Sequence, residues 1–164
     1  MPFDDDLVDG ALDACVLFPV GLSDTLLSIA EAALYLVLWS AEILDETRRN
    51  ILDDLPDLDP EQLERTFAAM HHAFPDALAA GHETLTATMT NHPKDRHVLA
   101  AAVAGGAQVL VTSNRRDFPP AACEPFAIDV QHPDEFLDYA LELDPETVIT
   151  TLAYQASIRW TRRC

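Results

Sequence analysis

An Ala-rich helix that stops at a glycine pair and passes at once into a buried strand constrains this chain more than any other feature. Residues 92–119, HPKDRHVLAAAVAGGAQVLVTSNRRDFP, contain both elements. Residues 93–104 read as helix, with Gly105 and Gly106 at its end. Residues 107–112 read as a strand buried on both faces, because QVLVT is almost wholly apolar or β-branched. The same alternation recurs along the chain. Residues 8–13 are a short strand pattern, and Pro19 interrupts the apolar run after it. Ser23 is the expected N-cap of a helix, SDTLLSIAEAALY. LYLVLW either ends that helix or forms a strand. Ser40 caps the next helix, whose Ile43, Leu44, Ile51 and Leu52 share a face. Asp59 and Pro60 open another through Met70. Residues 75–93 are less regular and hold a strand or short helix. Residues 126–130 suggest a last strand, followed by helices from Pro133 and from Pro145. Strands interleaved with helices imply a parallel sheet covered on both faces, an α/β fold.

With 164 residues the chain suits one domain with a full core, and its 49% apolar content argues against disorder. No apolar run reaches the roughly 18 residues of a membrane span. The start, MPFDDDLVDG, has no basic n-region, so the expected location is the cytoplasm. Cys15, Cys123 and Cys164 are far apart and have no metal-ligand spacing, which fits free thiols. The formal charge is −18, from 28 acids against 10 Lys and Arg. Such a surface repels phosphate backbones on average, unless the acids lie away from the substrate or serve a site themselves.

Three acids stand where an α/β fold gathers ligands. Asp13 ends the first strand, Asp95 lies in the first turn of the Ala-rich helix, and Asp117 follows the buried strand. Strand ends and helix starts converge at one edge of such a sheet. Three carboxylates there would hold a hard divalent cation, which suggests metal-assisted phosphodiester chemistry. Taken singly, two of them have plainer explanations: a turn residue at Asp13, a helix-dipole partner at Asp95. Glu46 reads from pattern alone as a solvated helix position beside Arg49. His92 reads as a loop residue and His97 as a helix-surface or core residue.

The blocks LDACVLFP at 12–19, LWSAEILDETRRNI at 38–51, HPKDRHVLAAAV at 92–103 and VLVTSNRRDFP at 109–119 change that weighing. Together, in this order, they resemble the PIN-domain ribonucleases, especially VapC-like toxins of type II toxin–antitoxin pairs. The resemblance implies a three-layer α/β/α sandwich around a parallel sheet of about four or five short strands. It implies a nuclease domain over residues 1–143 with a helical extension at 144–164. It implies a Mg²⁺- or Mn²⁺-dependent endoribonuclease with Asp13, Glu46, Asp95 and Asp117 as catalytic acids. Asp13, Asp95 and Asp117 would be the metal ligands. Asn114 stands where many members carry an acid, and Asp117 is the candidate replacement. Arg96, Thr112, Ser113, Asn114, Arg115 and Arg116, with Lys94 nearby, are the candidate RNA contacts. A cognate antitoxin and a homodimer are the expected partners, with the apolar stretch at 26–38 as a possible dimer face. Two other readings stay open. One is a PIN-like interaction module with little or no catalysis. The other is an aspartyl phosphotransfer protein, disfavoured because Lys94, the sole lysine, sits beside Asp95.

Overall fold

The computed structural model describes residues 7–163, with side chains through residue 158. The acidic start at residues 1–6 and Cys164 lie outside the described residues. Strand β1 (Asp9–Leu12) leads through the short helix α1 (Ala14–Leu17) into α2 (Val20–Glu31). Strand β2 (Leu36–Leu38) is followed by α3 (Ala41–Asp54), α4 (Pro60–Ala73) and the one-turn helix α5 (Glu83–Thr86). A 3₁₀ turn, Pro93–Asp95, enters α6 (Arg96–Ala104), and strand β3 (Val109–Val111) follows. Then come α7 (Pro120–Cys123), strand β4 (Asp129–Gln131), α8 (Pro133–Leu143) and α9 (Pro145–Arg163).

All four strands are parallel, in the order β2-β1-β3-β4. Gly10 is level with Val37 on one side and Val109 on the other. β3 is buried throughout, and β1 beyond its first residue, as strands covered on both faces must be. β4 forms one edge and is partly exposed. At the other edge, Trp39 and Leu78 make a single parallel bridge, with Ala79 N donating to the Trp39 carbonyl at 2.7 Å. Helix α6 contacts both β1 and β3 and packs on α3 and α5. Helices α2, α8 and α9 form a second group, α9 touching both others, with α2 against β2 and α8 against β4. This is the three-layer sandwich expected from the resemblance.

Several boundaries differ from the sequence pattern, each for a local reason. Helix α2 starts at Val20, not at Ser23: Ser23 N already donates to the Pro19 carbonyl at 2.9 Å, inside the first turn. Proline at the cap position has its φ pre-set, so the helix starts there without a side-chain cap. LYLVLW supplies a strand. β4 begins at Asp129 because Glu124–Phe126 form a 3₁₀ turn and Ala127 adopts a left-handed φ of 55°. In the 26–38 stretch, Leu26, Ile29, Leu34 and Tyr35 are buried in the chain's own core, leaving Leu36 exposed. Most of the apolar surface suggested as a dimer face is thus used internally.

Gly10 shows how tightly β1 is packed. A Cβ there would lie 3.1 Å from Tyr35 Cδ2. Tyr35 cannot easily yield: its hydroxyl donates to the Leu26 carbonyl at 2.8 Å, and its ring meets Phe136 edge-on at 4.7 Å. Gly10→Val should therefore destabilise the fold by roughly 1–3 kcal/mol through overpacking. Chemical denaturation of the two proteins measures this, and an unchanged midpoint would contradict the packing argument.

Candidate metal centre

β1 and β3 lie side by side at the centre of the sheet, and the strands that follow them, β2 and β4, lie on opposite flanks. Open α/β sheets bind ligands in the crevice at the carboxyl ends of such strands. Asp13 directly follows β1 and caps α1, its Oδ1 accepting from Ala14 N at 2.7 Å. Thr112 directly follows β3, and its hydroxyl donates to Asp13 Oδ2 at 2.8 Å. That hydroxyl also accepts from Asn114 N at 3.0 Å, so the loop after β3 fixes the acid at the end of β1. Asp13 is 3% exposed and Thr112 fully buried. Cys15 is half-buried beside them, its sulfur 3.4 Å from the Thr112 hydroxyl and accepting from Ser113 N. Burial and the nearby Asp13 charge push its thiol pKa up. Cys123 is buried and free.

Asp95 ends the 3₁₀ turn that enters α6 and is 4% exposed. Its backbone is pinned: Asn91 Nδ2 donates to its carbonyl at 3.0 Å, and its N–H donates to the His92 carbonyl at 2.9 Å. Asp117 lies in the 3₁₀ turn Arg115–Asp117, and its carbonyl accepts from His92 N at 3.1 Å. The two loops are therefore joined by their backbones. Their carboxyl groups face each other, with oxygens within 4.8 Å. Burial, hydrogen bonding to Asp117, and the charges of Asp13, Asp117 and Glu46 push the Asp95 carboxyl up to about 7.

Glu46 reaches the same place from α3. Its Oε2 is buried and has no hydrogen-bond partner, with His97 Nε2 3.6 Å away. The other His97 nitrogen lies 3.9 Å from Glu42, one helical turn before Glu46. The buried His82 holds Glu42 from behind, with Nε2 2.8 Å from its Oε1. Two histidines from separate segments thus bracket the acidic face of α3. Neither is visible in the sequence as part of a motif, because each is distant in sequence from its acid partner.

Asp13, Glu46 and Asp95 place one carboxylate oxygen each within 4.8 Å of one another, and so do ligand atoms of His92, Asp95 and Asp117. Asp95 belongs to both sets. Such oxygen-rich groups suit a hard divalent cation. The buried Glu46 oxygen without a hydrogen-bond partner faces the same place, and a buried acceptor left bare is costly, so it suits a cation or a donor brought in with it. The sites proposed for RNA contact are more scattered. Ser113, Asn114, Arg115 and Arg116 are exposed around the crevice. Arg115 pairs with Glu135 on α8, and Arg96 Nε donates to the Asn91 carbonyl at 3.0 Å. The Thr112 hydroxyl is turned to Asp13 rather than to the open crevice.

A family model described as PIN domain matches residues 9–116 of this chain. A Mycobacterium tuberculosis protein provisionally named ribonuclease VapC50 is 51% identical over 70 residues, 43% of this chain. The match spans 41% of that relative's length. No solved structure is significantly similar to the chain.

The Asp95 shift has a definite sign. An acid whose folded pKa is raised binds its proton more tightly when folded, so it destabilises the fold as pH rises. For the metal-free protein the loss runs from about pH 4, the unfolded value, to about pH 7. Asp95→Asn should then gain stability relative to wild type across that window, read as thermal midpoints in EDTA. Manganese should reverse the trend in wild type by competing for the same oxygens. A difference between variant and wild type that stays constant with pH would contradict the shift.

Proposed function

We propose, from the premise that this chain belongs to the PIN domain family, that it is a divalent-cation-dependent ribonuclease cutting RNA phosphodiester bonds internally. The observation that carries the reading is the meeting of Asp13, Glu46, Asp95 and Asp117 at one end of the sheet, where their crowding raises the Asp95 pKa. A Mg²⁺ or Mn²⁺ ion held by Asp13, Asp95 and Asp117 would polarise the phosphate and lower the pKa of the attacking water. The chain's own residues do the rest. Thr112 and the start of α1 hold Asp13 in a single orientation. Asp95, whose pKa is raised, would lose its proton on taking up a cation, and Asp117 stands beside it as a further ligand. Glu46, with one oxygen unpartnered, accepts the proton of the attacking water, and His97 limits where that carboxylate can swing. Attack in line with the leaving oxygen leaves a 5′-phosphate and a 3′-hydroxyl.

The stretch shared with the relative named for VapC50 supports a narrower reading, the toxin of a type II toxin–antitoxin pair. A basic antitoxin suits a chain of formal charge −18. The role of Asn114 is part of the proposal: its backbone N–H caps Thr112, and Asp117 supplies the fourth acid.

Purified protein should cleave RNA in Mn²⁺ and not in EDTA, leaving 5′-phosphate ends. Glu46→Gln should lose about 10²-fold or more of kcat, and Asp13→Asn should lose both cleavage and Mn²⁺-dependent stabilisation. A wild-type protein that binds Mn²⁺ but cuts no RNA would replace this reading with the interaction module.

A further inference from the structure

Beside the acid cluster, a cleft of about 780 Å³ runs between α3 and the turn before α6. Glu46, Arg49 and Asn50 of α3 line it together with Lys94 and His97 from the segment that enters and begins α6, Glu46 and His97 being its less exposed members. The charges lining this cleft differ in how far they are already satisfied. Arg48 is held by Asp45 and Glu64 and lies over the Phe67 ring. Glu42 is held by His82. Asp53 is the remaining exposed acid of the lining. Arg49 donates only to the Asp45 carbonyl, at 3.4 Å, and neither Arg49 nor Lys94 has a carboxylate partner among the described residues. Both are exposed, on a chain with 28 acids and 10 Lys and Arg. The cations expected from sequence to meet the substrate include Arg96 and Arg115, which are already engaged.

The geometry points to this cleft as the seat of the substrate's sugar–phosphate backbone, with a single RNA strand passing between Arg49 and Lys94 to reach Glu46. This rests on the ribonuclease reading and adds the strand's path. Two cations contributed by separate segments to one cleft suit adjacent phosphates, and the Asn50 amide suits a hydroxyl or a base edge. Among the described residues its lining has no Phe, Tyr or Trp to stack bases and His97 is the one ring, so contact there reads chiefly the backbone and is tolerant of sequence.

The test is binding of a short labelled single-stranded oligoribonucleotide, followed by anisotropy in Ca²⁺ over a series of salt concentrations. Arg49→Gln and Lys94→Ala should each weaken binding several-fold and reduce the slope of log K against log salt by about 0.7. The double variant should lose about twice that. Arg65→Gln, the same charge change on α4, should leave the slope as it is. A double variant with the wild-type slope, in a protein that still binds and cuts RNA, would overturn the cleft and leave the ribonuclease reading standing. A wild type that binds no RNA would overturn both. Displacement of the probe by polyglutamate as readily as by unlabelled RNA would also overturn the assignment, since it would mark a groove for acidic peptide.

Discussion

Like charges held close together are the constraint on which this structure turns. Two carboxylates within 4.8 Å repel by roughly 3 kcal/mol at an effective dielectric constant near 20. The fold tolerates three such acids at one end of the sheet because each is anchored by something other than its charge. Asp13 is fixed by the start of α1 and the Thr112 hydroxyl, Asp95 by the backbone of the 91–95 turn, and Glu46 by its place on α3. The repulsion is then relieved at its weakest point. Asp95, buried and facing three other acids, keeps a proton that an ordinary aspartate would lose. A cation offers a second form of relief, using the same oxygens.

The anchoring draws on elements that also build the core. Asp13 and Thr112 each sit one residue past a central, buried strand, so they inherit the strands' rigidity. α6, which Asp95 precedes, lies across both strands and carries five buried residues. Placing the acids on packed elements rather than on long loops limits their movement, and a reactive site needs that limit. The alanine-rich character of α6 goes with this packing: Ala100, Ala101 and Ala102 are all buried.

The sequence is most readable where periodicity and packing agree. The parallel sheet, the run of α6 into β3 and the Ser40 cap of α3 all follow from local pattern, and the Ser40 hydroxyl accepts from Ile43 N as its position suggests. Asp13, Asp95 and Asp117 are identifiable because each abuts a strand end or a helix start. Glu46 is not identifiable this way: its helical neighbours resemble those of any solvated position, and only its family motif singles it out. What places it in the site is His97, Asp13 and Asp95, all remote in sequence. The helix α1 is hidden for a similar reason. Its four residues are too few for a periodic signal, and the Asp13 side chain that starts it is also a site residue. Histidines 82 and 97 escape notice because a contact between segments leaves no spacing to read.

The excess of acid raises the question of how such a chain could approach an anionic polymer. Average charge is the wrong measure at short range. Over a screening length of about 8 Å, a strand in the crevice senses the groups that line it rather than the whole surface. There, one acid is neutralised by Arg48, another is held by His82, and Asp95 retains a proton. Arg49 and Lys94 are left unneutralised. The cleft lining, with four acids against three Lys and Arg, is thus far closer to neutral than the chain as a whole, and a bound divalent cation would move it further. By the same reasoning, the acids on remote faces would cost the proposed RNA substrate little in affinity while slowing its approach at low salt, and they would suit a basic protein partner.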